Sequence, residues 1–495
     1  MTEPLAALAP FHPDGHVERI HVIGGAWPAK MPSDSLTERH RCADLVLVAP
    51  TTEELATPGW VDYAVTGVSA ALTVDGIAFL YFPRRFRRAA LRCAAAAGLE
   101  TDAAILHAPS VPAVRFLLPS NGRIFRYALR NLSSGTRWKR RLGFLAVRAP
   151  GSSWMMGRMA PNIGLLVHRR GSRRPLEWAF ELARHKPVGS AIVQVSWRQP
   201  PNGAVLHCFP RSGAAPAFIV KIAWDAERAD ALAREADVLG ALGDSARRAG
   251  VNTPATLHFQ QASVGIILVQ SAVPGEIAAG RLRGVATRFG PLLEQLTKWL
   301  DSWGRSTQST GEIDREFTER NVLGPLEELS PWLREPMVYR EQLVADLQSA
   351  NREILPRVAA HNDLTMWNVL LQPNGTLGVV DWEAAHPRGV PMADFYYAVT
   401  DAAAAISGYR DRLAALRSCF TPGGRLRALV QSHEHALQTA FELSPAVAEL
   451  CFHACWLHHG VNEARSAGAG ARRPFLEIVQ WMADQRQAVA LTDGR

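Results

Sequence analysis

Acidic side chains are absent from one long stretch of this chain, residues 103–176, which carries fourteen lysines and arginines. Residues 1–188 hold 25 basic and 14 acidic residues, whereas residues 189–495 hold 29 and 32. The net charge of +8 therefore comes from the first part of the chain. A field of this sign attracts an anionic partner, such as a phosphorylated or lipid-linked sugar, although a basic surface that is only solvated gives the same pattern. Nucleic acid is not the partner we expect.

Cysteines and long apolar runs are also scarce. The six cysteines are scattered too irregularly for a disulfide framework, which is typical of a reducing cytoplasm. The best apolar stretch, residues 70–82, is interrupted by Asp75 and is shorter than the roughly 18–20 residues that span a bilayer. The first twenty residues include Glu3 and Glu18 and lack the basic-then-apolar order of a secretory signal. We expect a cytoplasmic protein, in which the apolar cluster at residues 154–159 is either a peripheral membrane contact or a buried domain edge.

Strand-like and helix-like patterns alternate in the first third of the chain. Residues 43–48 and 77–82 are apolar strands. Helical patterns separate them, one opened by a capping box at residues 51–54 and a later one closed by Gly98. Strands separated by helices of this length predict a parallel, doubly wound, Rossmann-like α/β sheet.

This order resembles the second half of a class I methyltransferase domain over residues 20–170, including an aspartate-led strand at Asp44 and a turn at residues 75–76. The resemblance implies a glycine-rich loop that binds S-adenosylmethionine after the first strand. The candidate loop, residues 21–26, lacks the G-x-G spacing. We therefore expect a degenerate or purely binding domain that does not take S-adenosylmethionine.

The pattern changes after residues 185–190, which have the composition of a linker. A β-rich segment follows, and from about residue 280 the chain is mostly helical apart from one hairpin. We therefore predict three parts: a methyltransferase-like domain over residues 1–186, a β-rich lobe over 187–272 and a helical lobe over 273–495.

The hairpin and the loop before it carry the residues that indicate chemistry. An Asn-Gly pair at 374–375 predicts a tight turn, and such a hairpin brings Asn368 beside Asp381, with Asp363 on the loop that leads in. Oxygen ligands of this kind suit Mg²⁺. Phosphoryl transfer needs a carboxylate that accepts the proton of the attacking hydroxyl, and metal ions that neutralise the phosphates. We assign Asp363 to the first task and Asn368 and Asp381 to the second; a fortuitous loop and hairpin is the alternative.

A second pair lies upstream. Lys221 ends a predicted strand, and Glu235 lies fourteen residues later in a predicted helix. Protein kinases pair a lysine of the third strand with a glutamate of the next helix, and the lysine holds the α- and β-phosphates. We predict these roles for Lys221 and Glu235. Glu227 on the same helix is a competing partner, and a strand-end lysine can also simply reach water.

Residues 190–400 resemble the aminoglycoside phosphotransferase and choline kinase family. The resemblance is carried by Lys221 and by the order H-x-D-x-x-x-x-N, then a hairpin, then D-x-E. The resemblance implies an α+β, protein kinase-like bilobal fold, with a β-rich N-lobe and a helical C-lobe, and ATP or GTP as phosphate donor. It also implies a role for five further residues. They are Gly203 in the phosphate loop, Ser271 in the hinge near adenine, His361 in the motif, Glu383 near the metal and Asp394, which braces the catalytic loop. For Glu383, a plain acid at a helix N-terminus is the equal alternative.

The predicted function is transfer of a phosphoryl group to a hydroxyl of a small molecule or glycan. A peptide or protein hydroxyl is a further candidate acceptor. The segment before Gly203 carries two prolines and no other glycine, which is compatible instead with a non-catalytic nucleotide-binding scaffold. Histidines and cysteines between residues 433 and 459 lack metal-finger spacing, and we expect them to pack the helical core.

Overall fold

The computed structural model describes most of the chain, namely residues 8–12, 17–24, 43–110, 113–119, 121–132, 162–185, 189–196, 198, 200–211, 213–262, 265–466 and 472–493. The middle of the stretch without acidic residues, 133–161, which includes the apolar cluster at 154–159, lies outside the described residues. Two compact units are present: Met1–Ala236 with Ala255–Ala272, and Asp237–Pro254 with Val273–Arg495.

The first unit is built on one eleven-stranded sheet. From edge to edge the strands follow the order β1-β2-β3-β6-β4-β5-β7-β8-β9-β11-β10. Their bounds are Ile20–Ile23 (β1), Ala43–Val48 (β2), Leu72–Pro83 (β3), Leu99–Ser110 (β4), Ala113–Pro119 (β5), Asn162–Arg169 (β6), Gly189–Val195 (β7), Gly203–Pro210 (β8), Phe218–Ala223 (β9), Thr256–Ala262 (β10) and Gly265–Ser271 (β11). The helices of this unit are Thr52–Ala56 (α1), Trp60–Ala71 (α2), Arg87–Ala96 (α3), Gly122–Asn131 (α4), Glu177–Leu182 (α5) and the start of Ala226–Arg248 (α6).

Among the described strands of this sheet, parallel pairing is limited to three neighbours, β1, β2 and β3. Strand β6 then pairs antiparallel with both β3 and β4, and β5 pairs antiparallel with β4. Every residue of β2 is buried, because α2 and α3 pack on one face of the strands and α5 with Phe11 packs on the other. Antiparallel strands thus stand where the sequence predicted a fully parallel sheet, and the methyltransferase-like interpretation of residues 1–186 stays a prediction.

Two charged side chains that the sequence left unassigned have structural roles here. The Asp44 carboxylate accepts hydrogen bonds from the Arg19 guanidinium at 2.8 Å and the Arg19 backbone N–H at 3.0 Å, which ties the start of β2 to the chain before β1. The Arg169 guanidinium donates to the carbonyls of Ser69 and Leu72 at 2.6 and 2.8 Å, where it satisfies the C-terminus of α2. Part of the basic stretch is therefore used inside the fold rather than offered to a partner.

Strands from both sides of residues 186 and 187, where the sequence predicted a domain boundary, belong to the same sheet. Strand β5 pairs antiparallel with β7, with Phe116 opposite Gln194 and Leu117 opposite Val193. The core under this junction is shared: the Phe180 ring of α5 lies edge-on to Phe218 of β9, with ring centroids 5.0 Å apart. The predicted boundary thus lies within the first unit, and the three predicted parts are not three separate compact units.

The second unit is mostly helical, as predicted for residues after 280. Its helices are Ala278–Leu282 (α7), Phe289–Thr307 (α8), Arg315–Phe317 (α9), Gly324–Leu329 (α10), Pro336–Ser349 (α11), Ala393–Ser407 (α12), Arg412–Phe420 (α13), Arg427–Ala440 (α14), Pro445–Ser466 (α15) and Pro474–Asp493 (α16). Short strands accompany them: Glu276–Ile277 (β12), Val358–Ala360 (β13), Val369–Leu371 (β14), Leu377–Val379 (β15) and His386–Gly389 (β16). Within the described residues, the structure has no helix long and apolar enough to cross a membrane.

One large apolar core holds these helices together, and its tryptophans anchor the strand before the Asp363 loop and the end of the hairpin after it. The Trp303 indole donates to the carbonyl of Ala359 at 2.6 Å, just before the loop. The Trp382 indole donates to the carbonyl of Val379 at 3.0 Å, beside Asp381. Cys451, His453 and Cys455 are buried in or against the same core, as predicted. His435 of the same predicted cluster is exposed and does not pack the core.

Because β5 and α5 complete the sheet and core beneath β7 and β9, we predict that residues 187–495 do not fold alone. Phe180→Ala should lower the free energy of unfolding by about 3–5 kcal/mol, the usual cost of truncating a buried phenylalanine. Chemical denaturation followed by circular dichroism measures this change, with Tyr63→Ala as the control because Tyr63 is 72% exposed. A truncated chain that unfolds cooperatively at the temperature of the full chain would contradict the prediction.

Candidate active site

Lys221 and Glu235 form a buried ion pair in the first unit. Lys221 lies on β9, flanked by β8 and β11, and its Nζ is 2.8 and 2.7 Å from the two carboxylate oxygens of Glu235 on α6. The Glu235 side chain is fully buried, and that of Lys221 is 9% exposed. Glu227, the competing partner, instead pairs with Arg198 at the surface. The structure thus brings together the two residues that the sequence paired.

A neighbouring histidine is kept neutral. Burial, with the Lys221 charge as a second cause, lowers the pKa of His207 to about 4. The Tyr127 hydroxyl of α4 lies 3.1 Å from His207 Nδ1, so a helix from the first part of the chain reaches the strand next to Lys221. A second positive charge is thereby excluded beside Lys221 at neutral pH.

Gly203 and Ser271 both have local structural tasks. A Cβ on Gly203 would lie 2.4 Å from the Ile222 carbonyl oxygen, so only glycine fits the close pairing of β8 and β9. The Ser271 hydroxyl accepts the backbone N–H of Ala255 at 2.8 Å. These contacts explain both residue types without a ligand, and their predicted nucleotide contacts stay predictions.

The predicted hairpin is confirmed in the second unit. Strands β14 and β15 pair antiparallel with Val369 opposite Val379, and Gly375 in the turn has a φ of 81°. Beyond the last pair, the backbone N–H of Val380 donates to the Asn368 carbonyl at 3.0 Å. Asn368 and the residue before Asp381 are therefore held together by the hairpin ladder.

Asp363 is held by two side-chain donors. Asn368 Nδ2 donates to the Asp363 carboxylate at 3.0 Å and to its backbone carbonyl at 2.9 Å. The Tyr397 hydroxyl donates to the other carboxylate oxygen at 3.4 Å. Burial raises the pKa of Asp363 to about 7, and the negative charges of Asp381 and Asp401 act in the same direction. A carboxyl group with this pKa can take up a proton near neutral pH, as a general base requires.

Three residues on one face of α12 hold this loop. Asp394, Tyr397 and Asp401 are spaced by three and four residues, so their side chains leave the helix on the same side. The Asp394 carboxylate accepts the N–H groups of His361 and its neighbour at 2.7 and 2.9 Å, and Asp401 accepts the Met366 N–H at 2.7 Å. The contacts of Asp394 are those that the predicted bracing role requires.

His361 is locked in one neutral tautomer. Its Nδ1 accepts the backbone N–H of Asp363 at 3.2 Å, so Nε2 carries the proton and donates to the Val380 carbonyl at 3.0 Å. The ring is fully buried against the Trp382 indole, with centroids 4.8 Å apart. His361 thus links the Asp363 loop to the end of the hairpin and is not placed to exchange protons with solvent.

The donor set suits the metal that the sequence indicated. Because Asp363 engages the Asn368 amide nitrogen, the amide oxygen is the atom of Asn368 that can face a cation, and Asp381 adds carboxylate oxygens. Hard oxygen donors of this kind fit Mg²⁺. Asp381 has a left-handed backbone with a φ of 68°, which is costly for a residue with a side chain and is typical of functional turns. Glu383 lies in the helical turn Trp382–Ala384 that follows.

The sequence did not single out Tyr397, Asp401 or Arg412. Asp401 is fully buried, and Arg412 Nη1 donates to it at 2.9 Å. A signal was available, because Asp401 is a charged residue in the otherwise apolar second half of a helix, and a buried charge needs a partner. The identity of that partner depends on tertiary contacts.

Part of the chain matches the model of a known family. Residues 204–428 match the model of a phosphotransferase enzyme family, which confirms the resemblance predicted from the sequence. No curated protein matches the chain in sequence.

Several solved structures are similar. The GDP complex of an aminoglycoside 2'-phosphotransferase-IIIa is 15% identical, with 59% of this chain and 93% of that chain covered and a TM-score of 0.38. A thermostable mutant of aminoglycoside phosphotransferase APH(4)-Ia is 12% identical, with 64% and 98% covered and a TM-score of 0.39. A putative fructosamine-3-kinase from Haemophilus somnus is 10% identical, with 62% and 94% covered and a TM-score of 0.38.

The buried ion pair gives a prediction that does not depend on activity. Lys221→Met leaves the Glu235 charge buried without its lysine, which should lower the free energy of unfolding by about 3–5 kcal/mol. The double variant Lys221→Met/Glu235→Leu should recover most of that loss, because an apolar pair of similar volume replaces two desolvated charges. Urea denaturation of the three proteins measures both effects.

Arg198→Met is the matched control, because its ion pair with Glu227 is exposed and its removal should leave stability unchanged. A Lys221→Met variant as stable as the parent chain would show that Glu235 is not the charge that Lys221 compensates.

Proposed function

We propose that this chain, whose residues 204–428 match a phosphotransferase family, is a kinase that moves the γ-phosphoryl group of ATP or GTP to a hydroxyl of a small molecule or glycan. The observation that carries the proposal is the Asp363 carboxylate, with its raised pKa of about 7, held by Asn368 at the entrance of the hairpin that ends at Asp381. Phosphoryl transfer requires a base for the acceptor hydroxyl and oxygen donors that hold a cation.

Asp363 would act on the acceptor. The acceptor hydroxyl oxygen forms a bond to the γ-phosphorus, the bond from that phosphorus to the β–γ bridging oxygen breaks, and the hydroxyl proton passes to Asp363. Asn368 and Tyr397 fix the direction of the carboxylate, and the fold that holds them provides the alignment that an in-line transfer needs. Asp394 and His361 keep the loop backbone in place.

Asn368 and Asp381 would hold Mg²⁺, with Glu383 close behind. The ion, when bound, neutralises charge on the phosphates. Lys221, oriented by Glu235, would bind the α- and β-phosphates of the nucleotide, and Gly203 and Ser271 would lie beside the nucleotide. The free cysteines among the described residues fit the cytoplasmic location that we propose.

One observation favours a second candidate, a non-catalytic nucleotide-binding scaffold. The segment between β7 and β8 carries Pro200 and Pro201, and the close approach of β8 to β9 accounts for Gly203. Few backbone N–H groups are then available to cover phosphates. A peptide or protein hydroxyl remains an alternative acceptor, and residues 1–186 serve in this proposal as a brace for the sheet rather than as a methyltransferase that binds S-adenosylmethionine.

Removal of the base separates the two candidates. Asp363→Asn should lower phosphoryl transfer by about 10²–10⁴-fold, the usual contribution of a general base. Its melting temperature should stay level or rise, because the change removes a buried charge that Asp381 and Asp401 repel. Asp381→Asn should abolish transfer that depends on Mg²⁺. Transfer is measured with γ-labelled ATP and GTP and a panel of sugars, aminoglycosides, amino alcohols and peptides.

Asp301→Asn is the matched control, since Asp301 pairs with Arg305 along one exposed helix face. Undiminished transfer in the Asp363→Asn protein would refute the assigned chemistry. A parent chain that binds nucleotide but neither hydrolyses nor transfers it would favour the scaffold.

A further inference from the structure

Arg412 lies at the start of α13 in a setting of aromatic rings. Its guanidinium carbon is 4.7 Å from the centre of the Phe475 ring, 5.7 Å from that of Tyr409 and 5.9 Å from that of Tyr397. The side chain is 17% exposed. A guanidinium stacked on rings keeps its in-plane N–H groups available for hydrogen bonds.

Only one of those N–H groups is used within the part of the chain that the structure describes. Arg412 Nη1 donates to Asp401 at 2.9 Å. A guanidinium carries five N–H donors. Arg412 therefore retains donor capacity beyond its ion pair, and its partial exposure lets a ligand reach it.

The rings around Arg412 connect it to Asp363. The Tyr397 hydroxyl donates to the Asp363 carboxylate at 3.4 Å, and its ring is stacked on His459 with centroids 3.7 Å apart. Trp367, from the loop between Asp363 and Asn368, is stacked on Tyr409 with centroids 6.4 Å apart. Arg412 and the rings of Tyr397, Tyr409 and Trp367 thus form one set of contacting side chains that begins at Asp363. We call this set the wall.

The charge of this wall is not suited to a cationic ligand. The Asp401 carboxylate is already satisfied by the Met366 N–H, the Tyr409 hydroxyl and Arg412, so it is not available to an ammonium group. Burial, with the neighbouring His458 and Arg412, holds the pKa of His459 well below its usual value, so His459 is neutral. Glu463, on which the Arg412 charge also acts, is engaged by the backbone N–H groups of Phe475 and Leu476 at 2.8 and 3.0 Å. The charged group that this wall offers to a ligand is therefore the Arg412 guanidinium.

We propose that Arg412 binds an anionic group of the acceptor, so that the substrate is a hydroxyl compound carrying a carboxylate or a phosphate. The inference rests on the proposed function, since it takes Asp363 as the base. The guanidinium fork matches the two oxygens of a carboxylate or phosphate. The partly exposed rings of Trp367, Tyr409 and Phe475 supply a surface for the apolar face of a sugar-like body. The guanidinium offers no hydrogen-bond acceptor to the ammonium groups of a polycationic aminoglycoside.

Matched acceptors test the proposal. Glucose and glucuronate, and glycerol and glycerate, share hydroxyl groups but differ in charge, and kanamycin is the cationic comparison. With γ-labelled ATP and Mg²⁺, the parent chain should show kcat/KM at least tenfold higher for the anionic member of a pair. Arg412→Gln should lower kcat/KM at least tenfold for the anionic member and change the neutral member less than threefold. Arg412→Lys keeps the charge beside Asp401 but loses the fork, so its kcat/KM for the anionic member should lie between those of the parent chain and Arg412→Gln. It replaces Arg412→Gln in the test if that variant does not fold.

Arg427→Gln is the control. Arg427 and Glu434 form a similar partly buried ion pair within α14, so this substitution should leave the charge preference unchanged. If no member accepts phosphate, the slow hydrolysis of ATP is read instead. Anionic members should then change the rate of ATP hydrolysis in the parent chain but not in Arg412→Gln. If the two proteins respond alike, the inference is overturned.

Equal losses for both members of a pair in Arg412→Gln would show a purely structural role and overturn the inference, as would a preference of the parent chain for kanamycin. Neither result touches the kinase assignment. The proposed function is tested separately, and it fails if ATP and GTP are neither hydrolysed nor used with any acceptor.

Discussion

One face of α12 governs the geometry of the candidate active site. Residues 361–368 form a loop with little secondary structure, and its backbone N–H groups need acceptors in a buried setting. Asp394 accepts two of them, Asp401 accepts a third, and Tyr397 between them holds the Asp363 side chain. A rigid helix thereby fixes a loop that could not fix itself. The cost is two carboxylates buried in an apolar helix, which raises the pKa of both Asp394 and Asp401.

The arrangement also concentrates negative charge. The charges of Asp381 and Asp401 both act on Asp363, and Arg412 is the cation paired directly with Asp401. The remaining repulsion contributes to the high pKa of Asp363. A bound cation at Asn368 and Asp381 would relieve that repulsion, since opposite charge nearby favours the ionised form of a carboxyl group. In the proposed function, binding of the cation would therefore favour the ionised form of Asp363.

The sequence predicted best what is local. The hairpin follows from an Asn-Gly turn between apolar runs, and the Lys221–Glu235 pair follows from a strand and a helix that are adjacent in the chain. Contacts between distant segments were not accessible in this way. Tyr397 is 34 residues from Asp363. Strand β5 pairs with β7 across a stretch of sequence that gives no sign of it, and Arg169 looked like part of a charged surface although it caps a helix. Helix packing and strand pairing decide these cases, and neither leaves a periodic pattern.

The pairing of β5 with β7 has a consequence for how the chain is made. Residues 20–169 contain the first six strands, and they leave the ribosome before β7 does. When β7 emerges, β5 offers it a row of unsatisfied backbone groups, so the new strand extends an existing sheet rather than starting one. Strands β8 and β9 then add in order, each antiparallel to the strand just made. Proteins fold from the N-terminus during synthesis, and an isolated new strand is exposed to aggregation. The first part of this chain thus serves as a template on which the strand bearing Lys221 is assembled.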